Sequence, residues 1–259
     1  MKSNKEIKRL ESKFDVDSAR EQLEKLGFRN GMRFLDAGCG GGAMTRLAAK
    51  SAKRSRIFGI DANEDHVAYA EKTAQKQHLP NIKYYKASIY NLPFKDSSFD
   101  FIWSRFLFEY LKDPLSALRE LKRVAKRGGI VCVGDIDGNC LFHYPTNDLF
   151  RNKLNKAMKL LEPFGFDPFV GRKLYYFFKK AGFGKIEVSL FPYHNIYGKP
   201  GKKDYENWET KIASVTNFIK KINTANSKFA ASLKKDFLRY IRHNNTFTYS
   251  VLIFAKGIK

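Results

Sequence analysis

The chain has 259 residues, 43% of them apolar and 15% aromatic, enough to bury a sizeable core, which excludes a disordered chain. Its longest uncharged apolar stretches, such as 129–134, fall far short of the roughly 20 residues that cross a bilayer. The N-terminus is charged from Lys2 onward, so neither a membrane span nor a signal region is predicted and the reading is cytoplasmic.

In chain order, residues 5–27 read as a helical lead-in, with Ile7, Leu10, Phe14, Leu23 and Leu26 at helical spacing and a break near Asp15-Val16-Asp17. From Met32 strand and helix alternate. Strands are predicted near 32–37, 56–60, 82–87, 99–104 and 129–135, and helices near 42–53, 63–78 and 114–126. Near-continuous apolar strands in this rhythm specify an α/β fold, a doubly wound parallel sheet covered on both faces. After Asp137 the rhythm changes to helices near 146–161 and 171–181, a strand at 185–191, a helical block at 203–242 and a last strand at 246–255. No repeat or low-complexity linker intervenes, so a single domain, 1–259, is predicted. Within it, 1–30 form N-terminal helices, 31–137 a ligand-binding core, 138–184 and 199–245 lid helices, and 185–198 with 246–259 a terminal strand pair.

The most informative segment is Phe34-Leu35-Asp36-Ala37-Gly38-Cys39-Gly40-Gly41-Gly42-Ala43-Met44-Thr45, an apolar strand running into glycines and then a helix. Such a turn lies beside the switch point of a doubly wound sheet, where ligands bind. The next strand ends at Asp61, where a carboxylate is placed to accept both ribose hydroxyls of an adenosine. Gly38-x-Gly40-x-x-Ala43 also fits the loose dinucleotide fingerprint. Asp36 argues against that reading, because a carboxylate two residues before the first glycine repels a pyrophosphate and welcomes an ammonium.

The stretch Leu35-Asp36-Ala37-Gly38-Cys39-Gly40-Gly41-Gly42 resembles the first motif of class I S-adenosylmethionine-dependent methyltransferases. Phe58-Gly59-Ile60-Asp61-Ala62, Leu92 through Ile102 and Leu121 through Gly129 resemble further motifs of that family in order, closest to its small-molecule branch of ubiquinone and menaquinone biosynthesis methyltransferases. The resemblance implies a seven-stranded Rossmann-like sheet with an antiparallel last strand, S-adenosyl-L-methionine as cofactor and S-adenosyl-L-homocysteine as product. It implies that Asp36, Gly38, Cys39, Gly40 and Gly42 hold the methionine end, Asp61 the ribose, and Ala62, Ala87, Ser88 and Ile89 the adenine. Ser88 stands where relatives usually carry Asp, and a neutral hydrogen bond there is weaker than a charge-assisted one.

Methyl transfer from a sulfonium is an in-line displacement on an activated carbon, so alignment and exclusion of water supply much of the catalysis. Ser104 and Arg105 end the fourth strand on the cofactor side. Arg105 is read as binding the methionine carboxylate or an acceptor carboxylate or phosphate, against the plainer reading of a surface ion pair. Glu109 and Tyr110 are read as positioning the acceptor. Relatives often have histidine near Tyr110, so a general base for hydroxyl acceptors moves elsewhere, and His143, beyond Asp135 and Asp137, is the preferred candidate. Tyr193, His194, Trp208 and the aromatics from Phe164 to Tyr176 are read first as lid packing.

Lys and Arg number 48 against 26 Asp and Glu, a net +22, with 26 basic and 19 acidic residues in 1–150 but 22 and 7 in 151–259. That excess attracts anionic partners, whether RNA, an acidic membrane surface or an anionic small molecule, unless it is only scattered solvated lysine. Cys39, Cys132 and Cys140 lack paired ligand spacing, so no metal and no disulfide is predicted. The leading reading is methyl transfer to an O, N or C atom of a small-molecule acceptor, anionic or aromatic, under a helical lid. The alternatives are an RNA methyltransferase using the basic C-terminal half and a non-catalytic nucleoside-binding module.

Overall fold

The computed structural model describes Ile7, Glu11 and residues 14–259, the side chains of 139–141 and 194 excepted. Leu10 of the predicted lead-in and the side chains of Cys140 and His194 lie outside the described residues. Local chemistry sets where the helices begin. α1 (Val16–Leu26) starts where Asp15 Oδ1 accepts from the amides of Asp17 and Ser18 at 3.1 and 3.0 Å, satisfying two otherwise free donors of the first turn. The predicted break at Asp15 is therefore a helix cap. Asn63 caps α3 (Glu64–Lys76) and Asp113 caps α4 (Pro114–Val124) in the same way, with Pro114 at a position whose missing amide costs nothing. The remaining helices are α2 (Ala43–Ser51), α5 (Asp148–Leu161), α6 (Val170–Lys180), α7 (Lys202–Ile222) and α8 (Ser227–Ile241).

The strands are β1 (Arg33–Ala37), β2 (Arg56–Asp61), β3 (Ile82–Lys86), β4 (Phe99–Arg105), β5 (Ala125–Tyr144), β6 (Ile186–Tyr197) and β7 (Phe247–Ile258). They form one sheet in the order β3-β2-β1-β4-β5-β7-β6. β1 to β5 pair in parallel, and β7 runs antiparallel between β5 and β6, as the resemblance implied. The order turns back on either side of β1, which leaves a crevice at the carboxyl ends of β1, β2 and β4.

Alternate side chains bury both faces. Leu35, Ile102, Val131 and Val133 pack with α4 and α6, while Phe34, Phe101, Trp103 and Phe254 pack with α1 and α2. A third core joins α5, α7 and α8 around Trp208 and Phe237, and Ile196 of β6 ties it to the sheet. Among the described residues no helix is long and apolar enough to cross a membrane.

One boundary differs substantially from prediction. β5 continues to Tyr144 and β6 to Tyr197, where strand had been predicted to stop at 135 and 191, so 138–144 is strand and not the start of the lid. With β7 these extensions build a three-stranded ribbon beyond the tip of β4. The register slips between Asp137 and Phe142 and between Pro192 and Asn195, and those irregularities break the period-2 pattern that signals a strand.

Gly134 faces Phe254 across the β5–β7 ladder, where a β-carbon would fall inside the van der Waals envelope of the ring. Phe254 is itself held against Trp103 and Phe191 at ring distances of 4.8 and 5.7 Å. Gly134→Ala is expected to cost about 1–3 kcal/mol and lower Tm by several degrees in a thermal melt. An unchanged Tm would show that the Phe254 ring yields freely.

Candidate active site

The glycine turn is tied to the neighbouring strand tip by its backbone. Ile60 O accepts from the amides of Gly38 and Cys39, both at 2.8 Å, and Gly40 N donates to Asp61 Oδ2 at 2.9 Å. Gly42, at φ +82°, opens α2 in the left-handed region, and a β-carbon there would sit 2.6 Å from Tyr84 Oη and 2.9 Å from Ala70 Cβ. Gly40 is different. It is also left-handed, at φ +52°, but nothing lies within 4 Å of where its β-carbon would be, so its backbone borders open space.

Asp36 and Asp61 flank this opening in opposite electrostatic states. Asp36 is buried, and that desolvation pushes its pKa up to about 6 against the Thr45 hydroxyl, which donates at 2.6 Å, and the positive charge of Arg105. The Asp61 charge adds to the upward push. Burial also raises Asp61, but His66 and the amides of Asn63 and Gly40 outweigh it and hold this carboxyl below its ordinary value. His66 Nδ1 stands 3.4 Å from Asp61 Oδ1, and burial opposes but does not cancel the upward shift that this contact gives the imidazole.

Ala87 N donates to Asp61 O at 3.0 Å, placing Ala62, Ala87 and Ser88 along one rim. Ser88 Oγ accepts from Tyr90 N at 3.2 Å and its backbone bridges Asn91, while Ile89 turns into the core. Cys39 is a free, buried thiol whose pKa is pushed up by burial and by the Asp36 and Asp61 charges.

Arg105 lies between Phe14, Trp103 and Phe106, at 5.5, 6.0 and 4.9 Å from their ring centres, and donates to Gln22 Oε1 at 3.0 Å. It therefore shares the sheet face of Asp36. Ser104 points to the opposite face, and its buried Oγ has no hydrogen-bond partner among the described residues. Beyond β4, a 3-10 turn (Phe108–Tyr110) carries Glu109, whose amide donates to Asp135 Oδ2 at 3.0 Å. Burial, then the neighbouring Glu109 charge, hold the Asp135 carboxyl well above its ordinary range. Tyr110 is 54% exposed, with its ring 5.7 Å from Phe166.

His143 is placed elsewhere. Its Nδ1 lies 2.8 Å from Thr248 Oγ1, and its ring packs 5.6, 5.9 and 5.0 Å from Phe150, Phe237 and Tyr240. His143 pairs with Thr248 and Asp135 with Ile253, so about 17 Å of β7 separates the histidine from the Glu109–Asp135 pair. The chain thus brings Asp36, the glycines, Asp61 and Arg105 together, sets Glu109 and Tyr110 at the adjoining strand tip, and lodges His143 in the ribbon. Thr45, His66 and Gln22 were missed as supports of the acidic and basic groups. So was Arg46, which donates to Gly41 O at 2.6 Å and pairs with Glu11 at 2.5 Å. Only the position of Thr45, one turn into the helix after the loop, gave any signal.

Residues 35–133 match the family described as "Methyltransferase domain". An uncharacterized methyltransferase of Schizosaccharomyces pombe is 32% identical over 148 residues, 55% of this chain and 53% of the relative. The demethylmenaquinone methyltransferase of Staphylococcus aureus is 36% identical over 144 residues, 54% of this chain and 56% of that one. The chain thus spans about half the length of the curated relatives it matches. A crystal structure of a SAM-dependent methyltransferase from Aquifex aeolicus shares the fold with TM-score 0.58 at 20% identity, all of both chains being covered. Phosphoethanolamine N-methyltransferase 2 of Haemonchus contortus does so with TM-score 0.59 at 22% identity, over 94% of this chain and 52% of that one.

Because Asp36 holds its proton more tightly in the folded chain, at about 6 against the ordinary 3.8, folding takes up a proton between those values and stability falls as pH rises through 6. Asp36→Asn removes that ionisation. At pH 8 the variant is expected to be about 2–3 kcal/mol more stable than the parent, with the gap narrowing toward pH 4. Urea denaturation at both pH values checks this, and a gap independent of pH would contradict it.

Proposed function

We propose that this class I S-adenosylmethionine-dependent methyltransferase moves a methyl group to a small-molecule acceptor held between the tips of β4 and β5 and the helices α5, α7 and α8. The supporting observation is the pair of oppositely tuned carboxylates, Asp36 raised and Asp61 lowered, on either side of the open backbone at Gly40. A bare phosphate ligand has no use for two acids. A nucleoside bearing an amine does.

In this reading the bound cofactor supplies an already activated methyl carbon, and the protein supplies placement. Asp36 faces the ammonium of the methionine end, which lies along Gly38, Cys39, Gly40 and Gly42, and Arg105 faces its carboxylate. Asp61 accepts the Gly40 and Asn63 amides and faces His66, and the acceptor capacity that remains meets the ribose hydroxyls. Ala62, Ala87 and Ser88 flank the adenine, and Ile89, expected beside them, supports that rim from the core. Ser104 closes the cofactor side of the β4 tip, Glu109 and Tyr110 meet the acceptor, and the proton-holding Glu109–Asp135 pair is the nearer acid or base. His143 serves an acceptor that extends along the ribbon. The helical core of α5, α7 and α8 acts as the lid of a single domain and keeps water from the reacting atoms. The small-molecule acceptor is supported by the relatives, whose names specify demethylmenaquinone and phosphoethanolamine.

In calorimetry, Asp61→Ala is expected to weaken S-adenosylmethionine binding about 30-fold to 100-fold through the loss of two charge-assisted hydrogen bonds. Unchanged affinity would remove Asp61 from the site. With a radiolabelled methyl donor and a cell extract, label is expected in the small-molecule fraction, and label on RNA would replace this acceptor class. Glu109→Gln is expected to lower kcat more than His143→Ala, with neither changing cofactor affinity; the reverse order would return the proton-transfer role to His143.

A further inference from the structure

The end of β7 nearest the lid reverses the usual polarity of a half-covered strand. Thr246, Thr248 and Ser250 are buried at 5%, 1% and 2% exposure, whereas Phe247 and Tyr249 between them are 41% and 40% exposed. A strand with one solvated face ordinarily buries its rings and exposes its hydroxyls. The inversion extends across the ribbon, because directly paired residues share a face. Tyr144 of β5 and Tyr197 of β6 both stand opposite Phe247, and they are 76% and 75% exposed. Down the edge strand the same face passes through Leu190 and Val188, paired with Ile253 and Ala255 and exposed at 64% and 44%. α6 covers only the lower part of this face, seating Gly171 against Asp135 and Asp137.

The surroundings are positive. Lys199, Lys202 and Lys203 follow Tyr197 and are exposed. Asp137 is engaged by Arg172 at 2.8 and 2.7 Å and Asp167 by Lys173 at 2.7 Å, while the exposed Asp204 follows Lys203 and offsets one of the rim charges. This rim lies in the half of the chain that carries 22 basic against 7 acidic residues.

These features select among occupants. A second copy would bring two like-charged rims together, which opposes association. Single-stranded RNA needs free ring faces on which bases stack. Here Phe142, Tyr249 and Phe247 are already stacked on one another at 5.1 and 5.3 Å, which leaves Tyr144 and Tyr197 as the open rings, and Leu190 and Val188 offer no ring at all. Aliphatic side chains, tyrosines with polar tips and a lysine rim are instead the composition that settles at the headgroup boundary of a bilayer with anionic lipid. We propose that the outer face of the β5–β7–β6 ribbon is a docking surface for an anionic lipid bilayer. The proposal rests on this surface alone and stands or falls independently of the acceptor assignment.

The test is sedimentation of the full chain with vesicles of phosphatidylcholine alone and of phosphatidylcholine mixed with phosphatidylglycerol. Binding is expected to the mixed vesicles only, and to weaken as salt is added. Two variants separate the apolar from the charged contribution. Tyr144→Ser combined with Leu190→Ser and Tyr197→Ser is expected to abolish pelleting, and Lys199→Gln with Lys202→Gln and Lys203→Gln to weaken it about tenfold or more. Both should keep the parent Tm and S-adenosylmethionine affinity, since every position changed is exposed and away from the cofactor residues. The proposal is overturned if the parent chain stays in the supernatant with mixed vesicles, or if the serine variant pellets as the parent does. It is equally overturned if light scattering shows a dimer that the serine variant splits, or if that variant loses affinity for an RNA oligonucleotide while vesicle binding persists.

Discussion

The hydrogen bond from Gly40 N to Asp61 Oδ2 joins two turns that the chain builds 21 residues apart. With the Gly38 and Cys39 amides on Ile60 O, it makes the end of β1 and the end of β2 a single rigid edge. Everything assigned to the cofactor hangs from that edge. Were the loop free to move, Asp61 would lose the Gly40 amide that helps to hold its charge. Held as they are, one is desolvated and the other is supported by amides, so neighbouring carboxylates acquire opposite tendencies.

This arrangement carries a stability penalty that a neutral core would not. An acid buried beside a single hydroxyl and an arginine is less comfortable charged than in water, and Thr45 offsets only part of that. Such discomfort is what the cationic ligand of the proposed function would relieve on binding. The Glu109–Asp135 pair at the tips of β4 and β5 repeats the theme on the opposite sheet face, where two carboxyls close together favour retention of a proton.

The sheet does two jobs with one set of strands. Its parallel portion supplies the joined tips of β1 and β2, and the extension of β5, β6 and β7 past β4 forms one wall of the helical core around Trp208 and Phe237. Burying Thr248 and Ser250 against that core directs the alternate residues, Phe247 and Tyr249, outward. The inverted surface is thus a geometric consequence of the strand's two-residue period as well as a composition.

Most of the architecture was legible in the residues. The strand-turn-helix pattern from Phe34 to Thr45 and the spacing to Asp61 carried the fold class, the switch point and the identity of the two acids, because apolar periodicity and glycine placement are local properties. The caps at Asp15, Asn63 and Asp113 likewise act within a few residues of themselves. Other features are relations between distant segments, and no local pattern encodes them. The slips after Asp137 and Pro192 hid the ribbon, and only pairing with β7 moved His143 into an aromatic cluster away from the Glu109–Asp135 pair. Only packing showed that Arg105 and Asp36 share a face, that His66 steadies Asp61, and that burial lifts one carboxyl while amides lower its neighbour. The sequence by itself determined which chemical groups the crevice contains; tertiary structure alone decided their charge states and which of them meet, because desolvation and through-space contact depend on what else folds against each group.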